Sequence, residues 1–328
     1  MKKKNHSLIL FLEGGSMILN TGNRTDIPGY YSEWFMNRIR EGFVYTRNPY
    51  YPELVTKYSL SPKVVDIIQF CTKNPIPMLK YLDELDVYHT VWQVTITPYG
   101  KEIEPHVPNK NRIIDAIKVL SSKVGKQAIA WRYDPIFISE KYTVDYHIHI
   151  FEEMCKRLSP YIDQCIFSYI DLYKKTVRNF PGVQEVSLSD KKKIAKAFKS
   201  IADRYHVRLR TCLENDDFLI DYNIDVSGCS TKEEMEHFTG LHLHWPTGLD
   251  NAREGCRCIL GNDIGSYNTC GHGCLYCYAN DDMMQVKRNM RHHDPKSPIL
   301  VGHIKKSDHI REAKQESFID KQMTIFDY

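Results

Sequence analysis

At 328 residues, with 42% hydrophobic and 26% charged positions, the sequence has the make-up of an ordinary globular protein able to bury a large core. Basic residues outnumber acidic ones only 44 to 41, and a net charge of +3 does not by itself imply nucleic-acid binding. No apolar run approaches the roughly 20 residues of a membrane span.

The first residues, Met1 to Phe11, superficially mimic a signal peptide, but the apolar run Leu8–Leu12 is too short for one. Residues 1–16 are therefore read as a disordered or upstream extension. From Met17 onward, short apolar runs alternate with helical patterns. A strand at 17–21 precedes a helix that Ser32 is expected to cap. Further strands are expected near 43–46, 64–70, 90–97, 128–131, 165–170 and 207–212. Helices are expected to open at Pro77 and to run over 109–121, 144–158 and 191–205. In the 109–121 helix, Ile113, Ile114, Ile117 and Leu120 share one face. Six or seven such units without a nucleotide-fingerprint glycine loop predict an α/β protein built as a (β/α) TIM-like barrel, complete or incomplete, over 17–215.

Chemistry in such barrels gathers at the C-terminal strand ends, and the residues there are polar almost every time. Arg24 and Asp26 follow the first strand, where they bind a carboxylate or phosphate, or lock the loop as an ion pair. Lys73 and Asn74 follow Cys71, itself read as a core residue without a thiol partner. Thr97 and Tyr99 end another strand. Arg132 and Asp134 lie between Trp131 and Tyr133, whose rings could stack on an adenine or a base. Ser168, Asp171 and Glu214 complete the mouth. Cys155 and Cys165 read as buried, inert thiols.

After residue 215 the pattern changes. Six of the ten cysteines fall between Cys229 and Cys277, with C-x-C and C-x2-C spacings that point to metal rather than disulfides, and so to a reducing cytoplasm. Residues 216–301 are expected to form a cysteine-rich segment closing the barrel mouth, and 302–328 a charged tail. Cys270, Cys274 and Cys277 stand at spacing C-x3-C-x2-C, with Gly271 and Gly273 in the first gap. Glycines permit the positive-φ turns needed to wrap three thiolates around one centre. Three soft ligands suit an iron–sulfur cluster or zinc, and a cluster held by three cysteines leaves one iron open. The alternative is a zinc knuckle completed by His272 or a distant cysteine. Cys212, Cys229, Cys256 and Cys258 make a possible second site, for another cluster or for zinc.

The loop's spacing, with Tyr276 before the last cysteine, resembles the cluster loop of the radical S-adenosylmethionine (SAM) superfamily. The resemblance implies a 4Fe–4S cluster on Cys270, Cys274 and Cys277, SAM on the open iron, and an electron donor such as flavodoxin or ferredoxin. It implies reductive cleavage of SAM and hydrogen abstraction from a substrate. On that reading Arg24, Asp26, Lys73, Arg132 and Asp134 do the catalytic positioning, and Tyr276, Asn74 and Tyr99 contact the cofactor. One departure is plain: the superfamily carries this loop after its first strand, whereas here it lies near the C-terminus. A non-catalytic zinc or iron–sulfur protein, structural or redox-sensing, is the rival reading. Near the end, Gln322-x-x-Ile325-Phe326 is similar to the peptide by which bacterial DNA-repair proteins dock on the sliding clamp. A clamp-like tail and radical chemistry together resemble spore photoproduct lyase, which implies a nucleic-acid lesion or nucleotide as substrate.

Two longer blocks carry a broader resemblance. Arg24-Thr25-Asp26-Ile27-Pro28 with Tyr31-Ser32-Glu33-Trp34-Phe35, and Asp263-Ile264-Gly265 through Ala279-Asn280, are similar to the bacterial and archaeal domain-of-unknown-function family 1848. The family carries no established reaction, so this resemblance implies boundaries and fold but no substrate.

Overall fold

The computed structural model describes residues 18–214, 216–245, 258–259 and 261–320. Its first half contains β1 (Ile18–Asn20), α1 (Ile27–Tyr30), α2 (Ser32–Glu41), β2 (Phe43–Arg47), β3 (Leu54–Ser59), β4 (Ile67–Thr72), a 3₁₀ segment (Ile76–Leu85), β5 (His89–Thr95), α3 (Lys110–Val124), β6 (Ile129–Ile136) and α4 (Val144–Leu158). There follow β7 (Gln164–Tyr169), α5 (Lys174–Asn179), α6 (Leu188–Arg204), β8 (Arg208–Thr211), α7 (Asp217–Asp221), α8 (Lys232–Thr239), β9 (Asn262–Asp263), α9 (Met283–Arg291) and β10 (His309–Glu312).

Local chemistry sets the helix starts. Asn109, Thr143, Ser187, Thr231 and Asp282 each accept a backbone N–H of the first turn, capping α3, α4, α6, α8 and α9. Ser32 is instead the first helical residue of α2, and the cap position belongs to Tyr31.

Seven strands pair in parallel in the order β8-β7-β6-β5-β4-β1-β9. From β1 to β8 the order never reverses, so right-handed crossovers carry the connecting helices to one face. That face is apolar: Ile68, Phe70, Trp92, Val94, Trp131, Tyr133 and Phe167 share one core with Trp34 and Phe35 of α2, Ile117 of α3, Phe151 of α4 and Phe198 of α6. Side chains alternate along a strand, and the opposite face divides along its length. Toward the strand starts, Ile18, Ile67, Val91, Ala130 and Ile166 pack with Met235 and Phe238 of α8. Toward the strand ends the same face carries Asn20, Gln69, Gln93, Arg132, Asp134 and Arg210. This is the polar mouth.

The molecule is thus a mixed α/β fold with a seven-stranded parallel sheet flanked by helices, and among the described residues no sheet closes. The closed form of the expected barrel is corrected here, and both edges give the reason. The β1 edge is taken by β9. The β8 edge is taken by Asp225, whose N–H donates to Leu209 and whose carbonyl accepts from Thr211. The Phe43 run also departs from expectation: β2 pairs antiparallel with β3, and β10 adds in parallel, giving a separate three-stranded sheet. Among the described residues no helix is long and apolar enough to cross a membrane.

Candidate functional site

The three-thiol loop lies at the C-terminal end of β1 and is held there from several sides. Tyr31 donates to the Thr269 carbonyl at 2.6 Å, Asn280 to the Cys270 carbonyl at 2.8 Å, and the Leu275 amide to Ile103 at 3.1 Å. Of the two glycines, only Gly273 has a positive φ, +70°. Gly271 serves another need: a Cβ there would come within 2.7 Å of the Tyr30 ring. Between them His272 is 2% exposed, its Nε2 2.7 Å from Asp26 Oδ2 and its Nδ1 3.3 Å from the Tyr30 hydroxyl. With both ring nitrogens engaged, His272 anchors the loop.

Asp26 is the hub of that anchor. Its carboxylate also accepts from Thr72 Oγ1 at 2.6 Å and from the amides of Gly29 and Lys73 at 2.8 Å, tying α1, β4 and the loop together. Arg24 pairs with Asp263 of β9, 3.1 Å away, and not with Asp26. Lys73 reaches Glu104, 2.8 Å away. Glu104, 1% exposed, also accepts from Thr97 at 2.7 Å and from Lys110 and the Tyr276 hydroxyl. Burial alone would raise its carboxyl, but Lys73 and Lys110 outweigh that and hold it well below the usual carboxylate range. The Tyr276 ring lies under Lys73, its centroid 5.4 Å from Nζ. Tyr99 stacks on Phe137 and donates to the Pro135 carbonyl at 2.8 Å. The Asn74 side-chain oxygen is buried without a hydrogen-bond partner among the described residues.

Deeper on the polar floor, Arg132 pairs with Asp134, 3.1 Å from Nε, and donates to Gln93 Oε1 at 2.8 Å; Asp134 also accepts from Ser168. Three thiols converge beside this guanidinium. Cys212 and Cys229 sulfurs are 3.5 Å apart, and Cys229 and Cys258 sulfurs 3.4 Å. Hydrogen bonds from these neighbours, aided by Arg132, pull the Cys229 thiol well below its usual range despite its burial. The Cys71 sulfur lies 3.7 Å from both Gln69 Nε2 and Gln93 Oε1, on the same polar floor. Cys155 and Cys165 are fully buried, as expected. Cys256 and the Gln322–Phe326 peptide lie outside the described residues.

The donor chemistry of the loop suits a soft metal centre. Burial pushes Cys270 well above the ordinary thiol range and Cys274 up to about 12, and raises Cys277. Backbone amides offset part of this, that of His272 at Cys270 and those of Ala279 and Asn280 at Cys277. Such N–H bonds to sulfur are among the devices that tune cluster thiolates. Metal must displace the three thiol protons. Among the described residues no group of three or more His, Cys, Asp or Glu side chains is arranged to hold a single ion as it stands.

Glu104, Lys110 and Asp263 were not legible as site residues, and His272, expected only as a ligand in the zinc alternative, is instead engaged by Asp26 and Tyr30. Glu104 lies 31 positions from Lys73 and 172 from Tyr276, and no local spacing announces such partners. The one available signal was the placement of His272 inside the cysteine motif.

The family model for a domain of unknown function (DUF1848) matches residues 18–279, and the chain belongs to that family. No curated protein and no solved structure matches it.

Proposed function

We propose that this DUF1848 protein is an iron–sulfur-dependent enzyme of radical-SAM type, with Cys270, Cys274 and Cys277 holding a 4Fe–4S cluster. The observation that carries the reading is the position of the three-thiol loop: it stands at the C-terminal edge of a parallel sheet, above a polar floor. Ligands of such sheets gather at the carboxyl ends of the strands. In this reading the sheet is a barrel wall left open. Held by these three cysteines, such a cluster would supply the one-electron chemistry that reductive cleavage of SAM and hydrogen abstraction from a substrate require.

The chain's own residues seat and shield these groups. Asp26 and His272 fix the loop against α1 and β4. Lys73 and Lys110 bring positive charge to the side of Cys274, opposing the charge of bound thiolates. The unpartnered Asn74 oxygen offers an acceptor to the SAM amino group. Arg132 and Asp134 are the residues to orient polar substrate groups, with a nucleotide or nucleic-acid lesion as the substrate class. Exposed Tyr173 and Tyr278, with ring centroids 6.3 Å apart beside the loop, favour that class because bases stack on aromatic faces.

The test is anaerobic reconstitution with iron and sulfide, metal analysis, and electron paramagnetic resonance of the reduced protein with and without SAM. The expected result is about four irons per chain, lost in Cys270→Ala without loss of fold, and a signal that SAM perturbs. Zinc in the loop under aerobic and anaerobic preparation alike, with no SAM effect and with unfolding of Cys270→Ala, would overturn it. The loop would then belong to a non-catalytic structural or redox-sensing protein.

A further inference from the structure

The proposed reaction leaves a second group of thiols unused. Cys212 follows β8, Cys229 precedes α8 and Cys258 precedes β9, so three separate segments deliver sulfur to one spot on the polar floor. Cys155 and Cys165 provide the internal contrast: they are buried inside the apolar core and are read as plain packing residues. The floor thiols sit otherwise. Their sulfurs touch in sequence at 3.5 and 3.4 Å, and none of the three is in a disulfide. The sulfur–sulfur edge of a tetrahedral zinc–thiolate site, from bonds of about 2.3 Å, is about 3.8 Å. The contacts are already near that spacing.

The surroundings are built to hold those sulfurs. Gly228 has φ +123°, a conformation that favours glycine, and its turn sets Cys229 against Cys258; a Cβ there would lie 3.3 Å from the Cys258 sulfur. The Cys229 amide donates to the Cys258 sulfur at 3.3 Å. Gln69 and Gln93 both donate to Ser230 Oγ, at 2.8 and 2.9 Å, and Gln93 also donates to the Cys229 carbonyl at 3.0 Å. Ser230 in turn donates to the Cys229 sulfur at 3.8 Å. Outer hydrogen bonds of this kind orient ligands around metals. The Arg132 guanidinium beside them offsets the negative charge that metal-bound thiolates retain.

We propose that Cys212, Cys229 and Cys258 form a second, thiophilic metal site, taking zinc or ferrous iron with these three thiolates as its ligands among the described residues. The contact chain is not closed around an ion as it stands, so binding draws the outer sulfurs inward around Cys229. Each thiol gives up its proton as its sulfur–metal bond forms, and no electron is transferred.

Cobalt(II) is the probe, added to the full-length chain in which Cys270, Cys274 and Cys277 are all replaced by alanine. The loop then contributes nothing, and the result does not depend on whether the loop carries iron. The expected outcome is about one equivalent of cobalt with thiolate-to-cobalt charge-transfer absorption. Adding Cys229→Ala abolishes that band, and adding Cys165→Ala leaves it. Cys258→Ser, with far-ultraviolet circular dichroism as the fold check, gives a second route to the same loss. Absence of the band in the folded loop variant would overturn the proposal. So would a band that survives Cys229→Ala, or a disulfide found to consume Cys212 and Cys229.

Discussion

Single residues in this protein do more joining than touching of open space. Asp26 has the sequence context of a ligand-binding carboxylate, yet its oxygens accept from four partners drawn from α1, β4 and the cysteine loop. Glu214 is the residue whose protonation the fold disturbs in the most testable way. Burial pushes its carboxyl up to about 7, although the Tyr169 amide and nearby Lys191 act in the opposite direction. A raised folded-state value means that the protonated acid is favoured by folding. Its contribution is fully present below about 4.5 and is lost as pH rises through about 7. Glu214→Gln should therefore gain stability over the parent at pH 8 by up to about 3 kcal/mol, and no more than slightly at pH 4. Urea unfolding of both proteins across pH 4–8 reads this difference. A gap that does not widen with pH would refute the assignment.

At the scale of elements, α4 and α6 are fixed by an aromatic column. Phe151 and Phe198 stack with centroids 3.7 Å apart and planes within 8°, and Trp131 stacks on Phe151 from the sheet at 5.1 Å. Removing one ring leaves a cavity that rigid neighbours fill only in part. Phe198→Ala should cost about 3–5 kcal/mol in chemical unfolding. A loss below about 1 kcal/mol would mean that the column can collapse around the gap. The glycine loop teaches a related lesson. The sequence motivates both of its glycines by backbone freedom, but Gly271 is there for space against Tyr30 and only Gly273 for its φ.

For the whole molecule, the decisive link joins the chain's beginning to the cysteine segment. β9 is only two residues long, and Arg24 holds it through the Asp263 carboxylate. Arg24→Ala should speed amide hydrogen exchange over residues 262–282, by an opening free energy lowered about 1–3 kcal/mol, while β4 to β7 stay protected. Uniform loss of protection across the sheet would show instead that β9 is part of the global folding unit. A shallow depression between the end of α6, β8 and the segment after α7, lined by His206, Arg208 and Arg210, does not compete as a site, since both arginines are paired with Asp163, Asp225 and Glu234.

What the sequence determined by itself was local: the apolar runs that became β1 and β4 to β8, the inner face of α3, the burial of Cys155 and Cys165, and the grouping of three thiols on one short loop. These follow from periodicity and spacing, which neighbours along the chain set. Closure of the sheet was not legible, because it depends on which segments occupy two edges, and neither Asn262-Asp263 nor Asp225 carries a strand pattern. The Phe43 run went to a different sheet because a short amphipathic strand reads the same wherever it pairs. Only tertiary structure decided that His272 meets Asp26 and that Glu104 meets two lysines and Tyr276. Apart from Glu104 and Lys110, six positions apart, the partners lie from 31 to 246 positions apart along the chain. Long-range pairings of that kind are set by the packing of whole elements, and no single stretch of sequence contains them.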